Sequence, residues 1–432
     1  MADLPDLSKP TYLVPAAGAK LRTLAGSFLS AIAMAYAARC LWLGLSLVQP
    51  MPLDDQWAFV LDYFRYVDGK YGWLDLFAQH NEHRLVTTRM VLFADAILLR
   101  MGGLFSLAVT YATLAATAVL GASLATRAGF ERFVGFALAL GVLWSASEWC
   151  DLALPFNVQF AFVHLCALVC LFATWRAGVR NRLRWTLLAC GADALAVFSL
   201  GSGLMLIGPV LLLALWLRAW RPAFVIVAFH AALVAVYFAG YERPLGTPPY
   251  VLDPVNVLKA AATFIGLTFS RHEAWIGAAG LLLATIMVVD ISWRAARRRP
   301  VSPSCCVLAA LASFVVLEAI VVGAARPIDT VGARYAISPA VFWAALTGAL
   351  WHLSEGYRAR PLVPAMATVA VIAMNAPQFA AAWRELSAFR ARAAAEARVG
   401  TFDPIVLQRL YPGGTQQAVR RLQELRLGPF AP

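Results

Sequence analysis

RLVTTRMVLFADAILLRM, residues 84–101, is the stretch whose reading decides the fold. It is nearly apolar enough to cross a bilayer, yet it carries Arg84, Arg89, Asp95 and Arg100. The chain around it is oily: of 432 residues 61% are hydrophobic and 14% charged, with a mean hydropathy of +0.69. That composition excludes a soluble globular domain and describes an all-α polytopic membrane protein. Other runs able to cross a hydrocarbon layer of roughly 30 Å fall at 24–47, 104–126, 133–149, 157–175, 184–200, 202–218, 222–241, 274–293, 304–325, 334–352 and 361–379. They predict about eleven transmembrane helices if 84–101 is left out.

Basic residues settle whether to leave it out. Without it, Lys9, Lys20 and Arg22, then Arg127 and Arg132, Arg176 to Arg184, Arg218 and Arg221, Arg294 to Arg299, and Arg358 and Arg360 all fall on one side. Cytoplasmic loops carry such an excess, and counting 84–101 as a span would break the pattern. The segment is therefore expected to be an interfacial or re-entrant helix of the first outer loop. The expectation is a multi-pass inner-membrane protein with a cytoplasmic amino terminus. Its transmembrane domain covers 1–379, with outer loops at 48–103, 147–157 and, fourth in order, 242–273. A tail, 380–432, ends on the outer, periplasmic face and carries amphipathic stretches from Trp383 to Arg398 and from Gln416 to Arg426, expected to cap the membrane surface. The formal net charge of +12 resides largely in topology clusters and does not point to nucleic acid. The seven cysteines lie mostly in apolar runs and imply no disulfide framework.

The polar groups gather on the expected outer face. Asp54 and Asp55 follow the first span, beside Trp57. Adjacent carboxylates repel, which pushes their pKa values apart and suits one of them to act as a base. His80, Asn81, Glu82, His83 and Arg84 follow in the same loop, where metal ligation, a phosphate clamp by Arg84 and hydrogen bonds to a sugar all compete. If that segment is helical, His80 and His83 share a side. Glu148 and Asp151 form a second acidic patch ahead of Asn157 and Gln159, and could converge with the first over one cavity. Arg271 and His272 end the fourth outer loop, and Arg334-Tyr335 opens a late span, where a guanidinium suits a lipid phosphate. Glu318, roughly two turns below the outer end of its helix, is expected to line the same cavity. Arg326 reads as an interfacial snorkelling residue and His230 as a packing residue.

The order of one span, an outer loop with an acidic pair, an interfacial helix, a second acidic loop and a late Arg-Tyr resembles the GT-C glycosyltransferases, such as protein O-mannosyltransferases and lipid A aminoarabinose transferases. The resemblance covers roughly residues 20–360. Asp54-Asp55 is similar to the acidic motif of the first loop, Gly102-Gly103 to the glycine before the second span, and Ala333-Arg334-Tyr335 to the Arg-Tyr motif. A Pro-Pro-Leu-Tyr-like stretch is absent, and His80 to Arg84 stands in its place. The resemblance implies inverting transfer of a sugar from a polyprenyl-phosphate carrier to an outer-face glycan, lipid or protein, with Asp55 or Asp54 as base and Arg334 facing the leaving phosphate. Substrate contacts are expected from His80 to Arg84, Glu148, Asp151, Asn157, Gln159, Arg271, His272, Glu318, Arg334 and Tyr335. A divalent cation, Mg or Mn, is the one cofactor considered, with Asp54, Asp151 and Glu82 as candidate ligands. The competing readings are a flippase or transporter, and a non-catalytic subunit of an envelope-polysaccharide system.

Overall fold

In hydrocarbon a backbone must satisfy its own hydrogen bonds, so apolar runs of this length become helices. The structure, a computed structural model, describes residues 16–432 except 127–128, 181–182, 245–248, 252, 270–273, 327–331, 354–361, 376–378 and 411–414. Its helices are α1 (Ala16–Ser46), α2 (Gln56–Val67), α3 (Val86–Leu99), α4 (Leu104–Ala125), α5 (Phe130–Leu143), α6 (Trp149–Ala153), α7 (Val158–Arg180), α8 (Leu183–Val197) and α9 (Ile207–Leu217). They continue as α10 (Trp220–Phe238), α11 (Pro254–Gly266), α12 (Ala274–Ala296), α13 (Pro303–Ala325), α14 (Ile337–Leu353), α15 (Leu362–Asn375), α16 (Phe379–Val399), α17 (Pro404–Leu410) and α18 (Thr415–Glu424). Among the described residues there is no β-strand, only an isolated bridge between His80 and His83.

Among the described residues seven helical stretches are long and apolar enough to cross a membrane: Thr23–Ser46, Leu104–Ala125, Phe130–Ala153, Pro155–Val179, Trp220–Phe238, Ala274–Ala296 and Pro303–Ala325. The other four expected spans are the shorter helices α8, α9, α14 and α15. Their shortness has local causes. A 3-10 segment, Gly201–Leu206, takes up the start of the 202–218 run. The 334–352 run likewise opens with a 3-10 turn, Ala333–Tyr335, and α14 is lined by protein from Ile337 to Phe342, so it does not meet lipid along its length. The centre of the bundle is α7, α13 and α14, where Leu168, Phe314, Phe342 and Leu346 are fully buried. Outer helices turn Phe28 and Trp42 of α1, Phe224 and Val236 of α10, and Ile286 and Val289 of α12 outward, as lipid-facing helices do.

Residues 84–101 hold a helix, α3, of 14 residues and about 21 Å of rise, which is not among the stretches long and apolar enough to cross. Val86, Arg89, Leu92, Asp95 and Ala96 are buried, while Met90, Ile97 and Leu98 stay exposed. Asp95, which weighed against a lipid-facing helix, caps α4: its carboxylate accepts from the amides of Gly103 at 2.9 Å, Phe105 at 3.0 Å and Ser106 at 3.4 Å. The reversal between α3 and α4 runs through Gly103, whose φ of +83° and 2.8 Å approach of a notional Cβ to Pro155 leave room only for glycine.

In the tail Ala393, Ala397, Val406, Leu410, Val419 and Leu422 pack against Met51, Trp57, Val60 and Phe64, making a second hydrophobic core with the first loop. Burial against α2 removes this apolar surface from water as fully as lipid would. Ion pairing of Arg421 to Asp68 at 2.7 Å and the Gly428 amide donating to Arg100 at 2.7 Å close its edge.

Candidate functional site

α2 begins immediately after Asp55, and the chain enters it through a sharp bend in which Asp54 has φ of +49°. The Asp54 amide donates to Leu410 of the tail at 2.9 Å, and its carbonyl accepts from Trp57 at 3.0 Å. Opposite it stands a tight hairpin rather than the helical turn considered above. His80 and His83 exchange backbone hydrogen bonds of 2.7 and 2.9 Å, and Asn81 takes φ of +48° at the tip. Asparagine tolerates that left-handed position, which explains its place between the histidines.

Two arginines build the hairpin's support. Arg84 donates to the carbonyls of Phe77, Tyr237 and Ala239, so the expected phosphate clamp is instead a strut between the first loop and the end of α10. A guanidinium whose donors face backbone oxygens costs little to bury and has few left for a ligand. Arg89 pairs with Asp62 at 3.1 Å, donates to Leu76 and Ala78, and lies 5.1 Å over the Phe59 ring.

Between the bend and the hairpin opens a cavity of about 380 Å³, lined by Asp54, Asp55, Gln56, His80, Asn81, Glu82, His83, Cys150, Asn157, Gln159, Arg326, Arg334 and Tyr335, with Leu53, Phe156 and Phe160 among its apolar walls. That volume suits a small molecule. The His80 ring sits between Phe59 and Phe156, at 5.1 and 5.9 Å, with its Nε2 3.8 Å from Asp55 Oδ1. Asn81 donates to the same oxygen at 3.5 Å. The interaction with His80 holds the Asp55 carboxyl below the usual carboxylate range. Asp54 goes the other way: burial, then the charge of Asp55, push it up, against the pull of Arg334 and Arg409. Burial pushes His83 down to about 4, so its imidazole is neutral at physiological pH. Its Nδ1 is buried without a partner among the described residues, facing Gly201, where a notional Cβ would approach it to 2.7 Å.

The cationic side has two members. Arg334 is exposed to the cavity mouth, 5.5 Å from the Tyr335 ring centre, and makes no ion pair among the described residues. Arg326, read from sequence as a snorkelling residue, reaches Glu82 with Nη2 3.4 Å from both carboxylate oxygens. Tyr335 packs between Phe160 and Phe264, at 5.7 and 5.8 Å, fixing the turn that presents Arg334.

Other expected members lie elsewhere. Glu148 and Asp151 are fully buried behind the wall and do not line the cavity. Glu148 accepts from Ser147 at 2.8 Å; Asp151 accepts from Asn157 at 3.0 Å and from the Ile337 amide at 3.4 Å, tying α6 to α14. Gln159 lines the cavity while its carbonyl oxygen accepts from Thr88 at 3.1 Å. Glu318 does not reach the cavity; its Oε2 lies 3.2 Å from His164 Nε2 between α13 and α7. His230 is likewise paired, its Nδ1 2.9 Å from Asp193 Oδ1. Both pairs join helices distant in sequence, and no local spacing announces them. Arg271 and His272 lie outside the described residues.

Of the candidate cation ligands, Asp54 and Glu82 line the cavity and Asp151 does not; Asp151 is held by Asn157 and Ile337, Glu82 pairs with Arg326, and among the described residues no three His, Cys, Asp or Glu side chains are grouped as a ligand set. The fold and composition define a polytopic helical membrane protein with a polar cavity at one end of its bundle. No family model, curated protein or solved structure matches the chain.

Proposed function

We propose that this chain is a membrane glycosyltransferase of GT-C type, moving a sugar from a polyprenyl-phosphate carrier to an outer-face glycan, lipid or protein acceptor with inversion. The observation that carries the reading is one cavity lined by two carboxylates, Asp54 and Asp55, and two guanidiniums, Arg326 and Arg334. Inverting transfer needs both kinds of group. A carboxylate takes the proton of the acceptor hydroxyl, the hydroxyl oxygen attacks the anomeric carbon, and the bond from that carbon to the phosphate oxygen breaks on the opposite face. The leaving lipid phosphate gains charge, which fixed guanidiniums stabilise in a poorly hydrated site.

Of the two carboxylates, Asp54 is the better base, because its raised pKa makes it the stronger proton acceptor. Asp55 is the more weakly basic and orients His80. The neutral His83, together with Asn157 and Gln159, offers uncharged hydrogen-bonding groups suited to sugar hydroxyls. The test is mass spectrometry of lipid-linked sugars and envelope glycans in cells carrying Asp54→Asn or Asp55→Asn at normal protein level. A polyprenyl-phosphate sugar should accumulate while one residue disappears from the product; unchanged profiles in both would remove the proposal.

A second reading, proton-coupled transport of a lipid or sugar, is favoured by the two His-carboxylate pairs buried among the helices, His164–Glu318 and His230–Asp193. Under it, Glu318→Gln would abolish function and Asp54→Asn would not.

A further inference from the structure

We infer that the C-terminal tail is a working part of this site, and that Arg390 is a positioning residue holding the two loops that build the cavity in register. The inference rests on the transferase reading for its consequence but on geometry for its content.

Arg390 of α16 is only 2% exposed, a cation buried without a carboxylate partner among the described residues. Its Nε donates to the Met51 carbonyl at 2.8 Å and its Nη1 to the Ala153 carbonyl at 3.3 Å. Met51 precedes the acidic pair in the first loop; Ala153 ends α6, which carries Cys150 of the cavity wall. One side chain thus bridges the backbones of both loops. The tail adds one further bond to each loop: Leu410 accepts from the Asp54 amide at 2.9 Å, and Trp383 Nε1 donates to the Trp149 carbonyl.

A tail that merely covered α2 would place an apolar residue where Arg390 stands, since burying a guanidinium is costly unless its donors are used. The benefit falls on Asp54. Its backbone takes the left-handed region, φ +49°, and is held there by a tail carbonyl on one side and the first turn of α2 on the other. Without that anchorage the acidic pair would relax away from the hairpin and the arginines.

Hydrogen exchange on the full-length protein in detergent, with Arg390→Met and Arg390→Lys, tests the clamp directly. In Arg390→Met the Asp54 amide and its neighbours should exchange about tenfold faster, the loss of roughly one hydrogen bond's worth of protection, while α7 and α13 are unchanged. Arg390→Lys, a point donor able to serve one carbonyl, should fall between, and it decides the question if Arg390→Met does not accumulate. Unchanged exchange at Asp54 would overturn the clamp. In cells both variants should accumulate the lipid-linked sugar seen with Asp54→Asn; faster exchange with wild-type sugar levels would show a tail without influence on the site and overturn the inference. If Asp54→Asn itself leaves those sugars unchanged, the transferase reading falls while the exchange data still decide the clamp.

Discussion

At the scale of single residues, neighbours in sequence divide tasks by what surrounds them. Asp54 and Asp55 have the same side chain, but only Asp55 touches His80 and Asn81, and only Asp54 has its carboxyl raised by burial and by the adjacent charge. Asp54→Asn should lower transfer by about 10²–10⁴-fold, the usual worth of a positioned general base. Under the proposed mechanism activity requires ionised Asp54 and should rise with pH through its raised pKa. Removing the charge of Asp55 lowers that pKa, so the residual activity of Asp55→Asn should show its acid limb at lower pH, measured as kcat/KM against pH. The two arginines that sequence treated alike also separate. Arg334→Ala should cost about 10²-fold in kcat with unchanged thermal stability. Arg84→Ala, which strips three carbonyls of their donor, should instead destabilise by about 2 kcal/mol or more, read by thermal unfolding. The acidic pair, the hairpin residues and Arg334 were legible because charge in an oily chain is conspicuous. Arg326 was not, because a lone Arg beside a span ordinarily snorkels and only the fold brings it to Glu82.

At the scale of elements, α3 shows why a charged apolar run needs its context. Three ionisable residues of 84–101 are explained by contacts outside the helix: Arg84, just before it, struts α10, Arg89 holds Asp62, and Asp95 caps α4. The arginine count over distant loops predicted that 84–101 does not span, while the cap could not be foreseen without knowing that α4 starts beside α3. Asp95→Ala should lose about 0.5–2 kcal/mol, read as a lower unfolding temperature, whereas Leu98→Ala on the exposed face should not. The hairpin went unforeseen for a related reason. The helical spacing of His80 and His83 is equally the spacing of a four-residue turn, and the left-handed Asn81 decides between them.

At the scale of the whole molecule, the cavity is assembled from six separate regions: the first loop, the α6–α7 junction, Leu200 after α8, Pro244 after α10, the end of α13 and the start of α14. The tail locks two of them. An eleven-span chain with its amino terminus inside puts Arg218 and Arg420 on opposite sides of the membrane. Single cysteines at those positions, in a chain without its native cysteines, should react with an impermeant reagent from outside at 420 and not at 218; labelling of both from one side would refute that topology. Hydropathy and arginine placement alone determined that this is a helical membrane protein, because lipid imposes length and composition on each span independently of the others. They also marked the first loop as the place where polar groups gather. Tertiary structure alone decided which charges face the cavity and which are buried as struts, caps and paired groups, since a side chain's partner across the bundle depends on packing between segments far apart in the chain.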